Sequence, residues 1–145
     1  MLHVGDSAPA FTAPDQSGKI HSLQEYAGRF VLLYFYPKDD TPGCTTEACG
    51  FRDHFDELSK KAVILGVSKD DAESHARFAE KYDLPFPLLA DPDKAIIAAY
   101  GADGVIYPKR VSFLIAPDGT IKKIYDKVAC EEHAEEVLRD IATFV

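Results

Sequence analysis

The sequence is short of positive charge, of cysteine and of long apolar runs, and each shortage excludes something. Lysine and arginine number 16 against 24 aspartates and glutamates, a formal net charge of −8. Such a surface repels a phosphate backbone or an anionic lipid surface, which argues against nucleic-acid and membrane roles. No window approaches the roughly 18 apolar residues that a membrane span needs. The amino terminus, MLHVGDSAPAF, has no basic segment followed by an apolar run, so a cytoplasmic protein is expected. The 3 cysteines, Cys44, Cys49 and Cys130, are odd in number. They fit a reducing compartment, where thiols are reactive or incidental, and not a disulfide scaffold. There is no C-x-x-C, no repeat, no low-complexity tract and no plausible linker, so residues 1–145 read as one domain. What is present, 46% hydrophobic and 28% charged residues, suffices for a core and excludes disorder.

The apolar pattern reads as an α/β fold. FVLLYFYP, beginning at Phe30, and AVILGVS, beginning at Ala62, are too continuously apolar for half-exposed strands and suit a sheet covered on both faces. Between them Ala48, Phe51, Phe55 and Leu58 recur at helical spacing, giving strand, helix, strand and hence parallel pairing. A second helix starts near Asp70, PLLAD is a short strand, and a short helix follows Asp93. VSFLIA and IKKIYDK form a hairpin around PDGT, and EEHAEEVLRDIATFV is the last helix, with acidic residues in its first turn. With an amino-terminal hairpin around DQSGK, the order is β-hairpin and then β-α-β-α-β-α-β-β-α. A central mixed β-sheet flanked by helices is expected, parallel in its first half and antiparallel at the carboxy-terminal hairpin.

The stretch TPGCTTEACG, residues 41–50, holds two of the three thiols. Thr41 before Pro42 signals a helix start, with threonine capping the exposed amides and proline at the first helical position. Cys44 then falls third in the helix, where its sulfur meets unpaired N–H groups at the positive end of the dipole, a setting that favours a thiolate. It also joins the stripe 44, 48, 51, 55, 58 and so points inward. It reads as a pocket nucleophile, with a buried cysteine acting as a small hydrophobe as the alternative. Five residues along a helix place the Cα atoms of Cys44 and Cys49 roughly 8 to 9 Å apart, beyond the limit of about 7 Å for a disulfide. A bond between them therefore requires the first turns to unwind, and Gly50, about 1 kcal/mol poorer than alanine in a helix, stands where unwinding would end. Cys49 serving only as a packing residue is the other reading. A metal site from Cys44, Cys49 and His54 is disfavoured, because spacings of five place them on different sides of the helix. His3, His21, His75 and His133 read as solvated surface groups, and Lys38, Asp39 and Asp40 as a solvated loop.

YFYPKDDTPGCTTEACGFRD resembles the active-site signature of the peroxiredoxins, most closely the bacterioferritin comigratory protein or PrxQ branch. Its core is Pro37, Thr41 and Cys44, a P-x-x-x-T-x-x-C motif. The resemblance continues through GDSAPAFTAPDQSGK, GVSKDDAESHARFAEKYDLPFPLLAD and KRVSFLIAPDGTI, and so covers nearly the whole chain. It implies a thioredoxin-like fold and a thiol peroxidase that reduces hydrogen peroxide and organic hydroperoxides with no metal or organic cofactor and is recycled by thioredoxin or a similar dithiol. Carried over by position, Cys44 is the peroxidatic cysteine, Thr41 hydrogen-bonds the peroxide and Pro37 shields the thiolate. Arg110 is the active-site arginine, Glu47 orients it, and Cys49 is the resolving cysteine, forming an intramolecular disulfide with Cys44. The branch also implies a monomer. From its residues alone, Arg110 reads as a strand-edge surface charge. Cys130 departs from the family pattern. Glu131 and Glu132 beside it disfavour its thiolate, and it reads as incidental, with an alternative or intermolecular disulfide partner as the minority reading. Two competing functions are a general disulfide oxidoreductase, which the missing C-x-x-C disfavours, and a non-enzymatic chaperone or interaction module.

Overall fold

The computed structural model describes residues 1–144; Val145, the last residue of the expected final helix, lies outside the described residues. A five-stranded sheet of order β5-β4-β3-β6-β7 carries the fold. Its strands are β3 (Phe30–Phe35), β4 (Ala62–Ser68), β5 (Leu88–Ala90), β6 (Val111–Ile115) and β7 (Ile121–Tyr125). β3, buried at all six positions, is central. It pairs in parallel with β4, which pairs in parallel with β5, and pairs antiparallel with β6, which turns back antiparallel into β7. The expected mixed sheet is present. The amino-terminal hairpin, β1 (Thr12–Pro14) and β2 (Ile20–Ser22), forms its own two-stranded sheet.

Alternation along β3 sorts the core into two layers. Leu32, Tyr34 and Tyr36 face α1 (Pro42–Asp53), α2 (Phe55–Lys61), α3 (Ala72–Tyr82) and α5 (His133–Phe144). Val31, Leu33 and Phe35 face α4 (Ala95–Ala99) and the amino-terminal segment through Phe11. Tyr34 fixes α1: its ring lies 4.8 Å from that of Phe51, centroid to centroid. Gly66 of β4 makes this possible, because a β-carbon there would lie 2.9 Å from the Tyr34 ring.

The single helix expected between β3 and β4 is two. His54 (φ −105°, ψ 10°) leaves helical geometry, yet its carbonyl still accepts from the Leu58 amide at 3.0 Å. The break does not displace the apolar stripe: Cys44, Ala48, Phe51 and Leu58 are all buried and Phe55 packs against them.

Candidate active site

α1 begins in the expected register, with Thr41 at the N-cap, Pro42 first and Cys44 third. The threonine does not cap the amides, however. Its hydroxyl donates instead to the Lys38 carbonyl at 2.8 Å, closing the loop before the helix. The proline has no N–H to leave unpaired at the first position, while the amides of Gly43 and Cys44, which a cap would have bonded, are left without it. Pro37 is half-buried where the chain leaves β3.

Cys44 is 1% exposed. Arg110, just before β6, reaches across to it: Nη2 donates to Cys44 Sγ at 3.4 Å while Nη1 donates to Glu47 Oε1 at 2.7 Å. Arg110 is thus a half-buried clamp between nucleophile and acid, not the surface charge its local sequence suggested. Glu47, one turn after Gly43 on α1, is also 1% exposed. Its carboxyl is raised to about 7, because burial outweighs the pull of Arg110. Its second oxygen, Oε2, and the Tyr34 hydroxyl are buried without a hydrogen-bond partner.

Cys49 is free and half-buried, and burial pushes its thiol up against the opposing pull of Arg52. The helix between it and Cys44 is intact, with Thr45 N–H bonded to the Thr41 carbonyl at 2.8 Å. His54 is engaged elsewhere, its Nδ1 lying 3.0 Å from the Gly50 carbonyl. Cys44, Cys49 and His54 do not assemble into a metal cluster. The one group of metal-ligand type among the described residues is Asp39, Asp70 and His75.

That group corrects two expectations. Asp39 and three of the four histidines taken as solvated are buried: Asp39 at 7%, His21 at 2%, and His75 and His133 at 0%. Each has partners that allow it. His75 Nδ1 lies 2.6 Å from Asp39 Oδ2 and its Nε2 lies 2.9 Å from the Leu89 carbonyl. Tyr36 Oη and Ser74 Oγ also donate to Asp39. Asp40 receives Lys81 Nζ at 2.8 Å and the Tyr82 hydroxyl at 2.9 Å. Both carboxylates of the loop are therefore drawn to α3 and bonded there, and the loop that ends at Thr41 is held rigidly. His21 bonds Asp15 and Tyr26, and His133 bonds Ser112 and Glu136. Sequence reading missed partners such as Leu89 for His75 and Ser112 for His133 because they lie on other elements.

It also missed the place of Cys130. Its sulfur stands beside Gly43 and the Arg110 guanidinium, in the turn before α5.

Residues 4–124 match the model of the AhpC/TSA family. Peroxiredoxin Bcp of Escherichia coli (strain K12) is 44% identical over 149 residues, spanning 94% of each chain. The structure of a Xylella fastidiosa PrxQ variant superimposes with a TM-score of 0.95 at 31% identity, over 99% of this chain and 98% of that one. That of Xanthomonas campestris bacterioferritin comigratory protein, solved in work on its alkyl peroxide reduction activity, gives 0.88 at 34% identity, over 92% and 91%. A buried thiol clamped by an arginine on a thioredoxin-like fold and these likenesses agree: the chain belongs to the AhpC/TSA family, as a peroxiredoxin of the PrxQ or bacterioferritin comigratory protein type.

Proposed function

We propose that this peroxiredoxin reduces hydrogen peroxide and organic hydroperoxides at Cys44, resolves the product with Cys49 and is recycled by thioredoxin. The observation that carries the reading is the contact of Arg110 Nη2 with Cys44 Sγ at 3.4 Å, held from behind by Glu47. A guanidinium there stabilises the thiolate and the negative charge that builds on the peroxide oxygens as their bond breaks.

The Cys44 thiolate attacks one peroxide oxygen. The S–O bond forms, the O–O bond breaks, and the departing oxygen takes a proton to leave as water or alcohol. The Thr41 hydroxyl, its proton committed to Lys38, accepts a hydrogen bond from the peroxide and turns the scissile bond toward the sulfur. Pro37 shields the sulfur from bulk water. The first turns of α1 then unwind, Cys49 condenses with the Cys44 sulfenic acid, and water is lost. A dithiol restores both thiols by exchange. The alkyl peroxide activity of the Xanthomonas protein supports organic hydroperoxides as substrates. We further propose a monomeric, single-domain, cytoplasmic enzyme; a mass of one chain, 16.0 kDa, in sedimentation equilibrium checks the first of these.

The test is stopped-flow peroxide consumption in the presence of a thioredoxin system. Turnover should vanish in Cys44→Ser, and its persistence there would overturn the assignment of the nucleophile.

A further inference from the structure

We propose that Cys130 is a second resolving cysteine, which condenses with the Cys44 sulfenic acid while α1 stays helical. This rests on Cys44 being the nucleophile, as set out above.

Two sulfurs and a buried, unpaired carboxylate oxygen gather around one guanidinium. Cys44 Sγ accepts from Arg110 Nη2 at 3.4 Å. A β-carbon placed on Gly43, the residue before Cys44, would lie 2.9 Å from that same nitrogen and 3.6 Å from Cys130 Sγ. The Cys130 sulfur and the Arg110 guanidinium thus pack side by side against the turn of helix that carries the nucleophile. Gly50, seven residues on and therefore on the same face of α1, would place its β-carbon 3.8 Å from the Cys130 carbonyl oxygen and 3.9 Å from Ala134 Cβ. The Cys130 turn therefore runs along the face of α1 that carries Gly43 and Gly50, at contact distance from both. Glu47 Oε2, the unpaired oxygen, is on the acid that holds Arg110.

The two resolvers face different barriers. Cys49 must break the α1 ladder, including the Thr45 to Thr41 bond, to approach Cys44. Cys130 lies outside any helix, in a turn closed by Glu132 N–H to the Ala129 carbonyl at 3.0 Å, and is half-buried. Moving a turn demands less than melting a helix end.

Electrostatics orders the events. Burial, Glu47, Glu131 and a negative Cys44 push the Cys130 thiol up, while Arg110 pulls it down. Oxidation of Cys44 to the neutral sulfenic acid removes one of the opposing charges and leaves the guanidinium beside Cys130. Its thiolate is thus less opposed once there is a sulfenic acid to attack. In that step Cys130 sulfur attacks Cys44 sulfur, the S–S bond forms and the S–O bond breaks. The leaving oxygen carries off the electron pair and, with the thiol proton, departs as water. Over both steps two thiols are oxidised to a disulfide and one peroxide is reduced.

Cys49→Ser and Cys49→Ser/Cys130→Ser, each reduced and then given one equivalent of hydrogen peroxide with dimedone present, separate the possibilities by peptide mapping and thiol titration. The expected result is a Cys44 to Cys130 disulfide within one chain of Cys49→Ser, no free thiol and little dimedone adduct, with Cys44 fully trapped by dimedone in the double variant. Equal trapping of Cys44 in both variants, with the Cys130 thiol free, would overturn Cys130 and leave the nucleophile standing. A Cys44 to Cys130 bond between chains would overturn it likewise. Failure of Cys44 to take dimedone in the double variant would sink both readings. Cys130→Ala stands in if the serine variant does not fold.

Discussion

Arg110 acts through two nitrogens at once, and Gly43 supplies the space for one of them. An added methyl at Gly43 would meet Nη2 at 2.9 Å, and the far end of a long side chain can move aside. Gly43→Ala should therefore melt close to the parent while its second-order rate constant with peroxide falls about tenfold or more, since small misplacements of a charge-stabilising group are costly to the transition state. A normal rate measured by stopped flow would show that the guanidinium does not need this place. Glu47 gives a pH signature. Burial raises its carboxyl from the ordinary 4.5 to about 7, so the folded state binds the proton more tightly than the unfolded chain. Its contribution to stability is then fully present below about 4.5 and is lost as pH rises through about 7. Urea denaturation of the reduced protein should show this decline, and Glu47→Gln should flatten it. Cys44 was legible in the sequence through its cap-and-proline start and its place in the stripe. Arg110 was legible only by family likeness, because it stands 63 residues from Glu47 and nothing local reports that they meet.

At the scale of elements, α1 must be stable enough to hold Cys44 and weak enough to release it. Its buried face, Cys44, Glu47, Ala48 and Phe51, is fixed on β3 and α5, whereas Gly50 makes only ordinary contacts and has room for a methyl. Gly50→Ala should stabilise the helix by about 1 kcal/mol and slow the Cys44 to Cys49 condensation roughly fivefold. The intrinsic fluorescence or thiol-trapping rate after a peroxide pulse measures this, and an unchanged rate would mean that the helix does not open there. The strands and the helical stripe were readable from period alone, since burial on a sheet face or helix side leaves a repeating mark. The break at His54 was not, because it shifts one residue without disturbing that repeat. The Thr41 hydroxyl was misread for a related reason: capping propensity is local, but the Lys38 carbonyl competes for the same proton.

Across the whole molecule, a buried histidine ties the active-site loop to the rest of the fold. His75 on α3 joins Asp39, 36 residues earlier, to the Leu89 carbonyl on β5. His75→Leu would leave the buried Asp39 carboxylate with the Tyr36 and Ser74 hydroxyls but without the imidazole. The expected loss of stability is about 1 to 3 kcal/mol, readable in chemical denaturation, and no measurable change would place the rigidity of the loop elsewhere. Composition suggested solvated histidines because no periodicity marks a polar group whose partner lies on another element. The order of elements and the mixed sheet, by contrast, followed from the apolar runs. The account as a whole requires every catalytic disulfide to contain Cys44. Non-reducing peptide mapping of the wild-type protein after one equivalent of hydrogen peroxide tests this most directly. Cys44 should be found joined within one chain, to Cys49 and to Cys130. A map in which Cys44 remains a free thiol while Cys49 and Cys130 are joined would contradict the account.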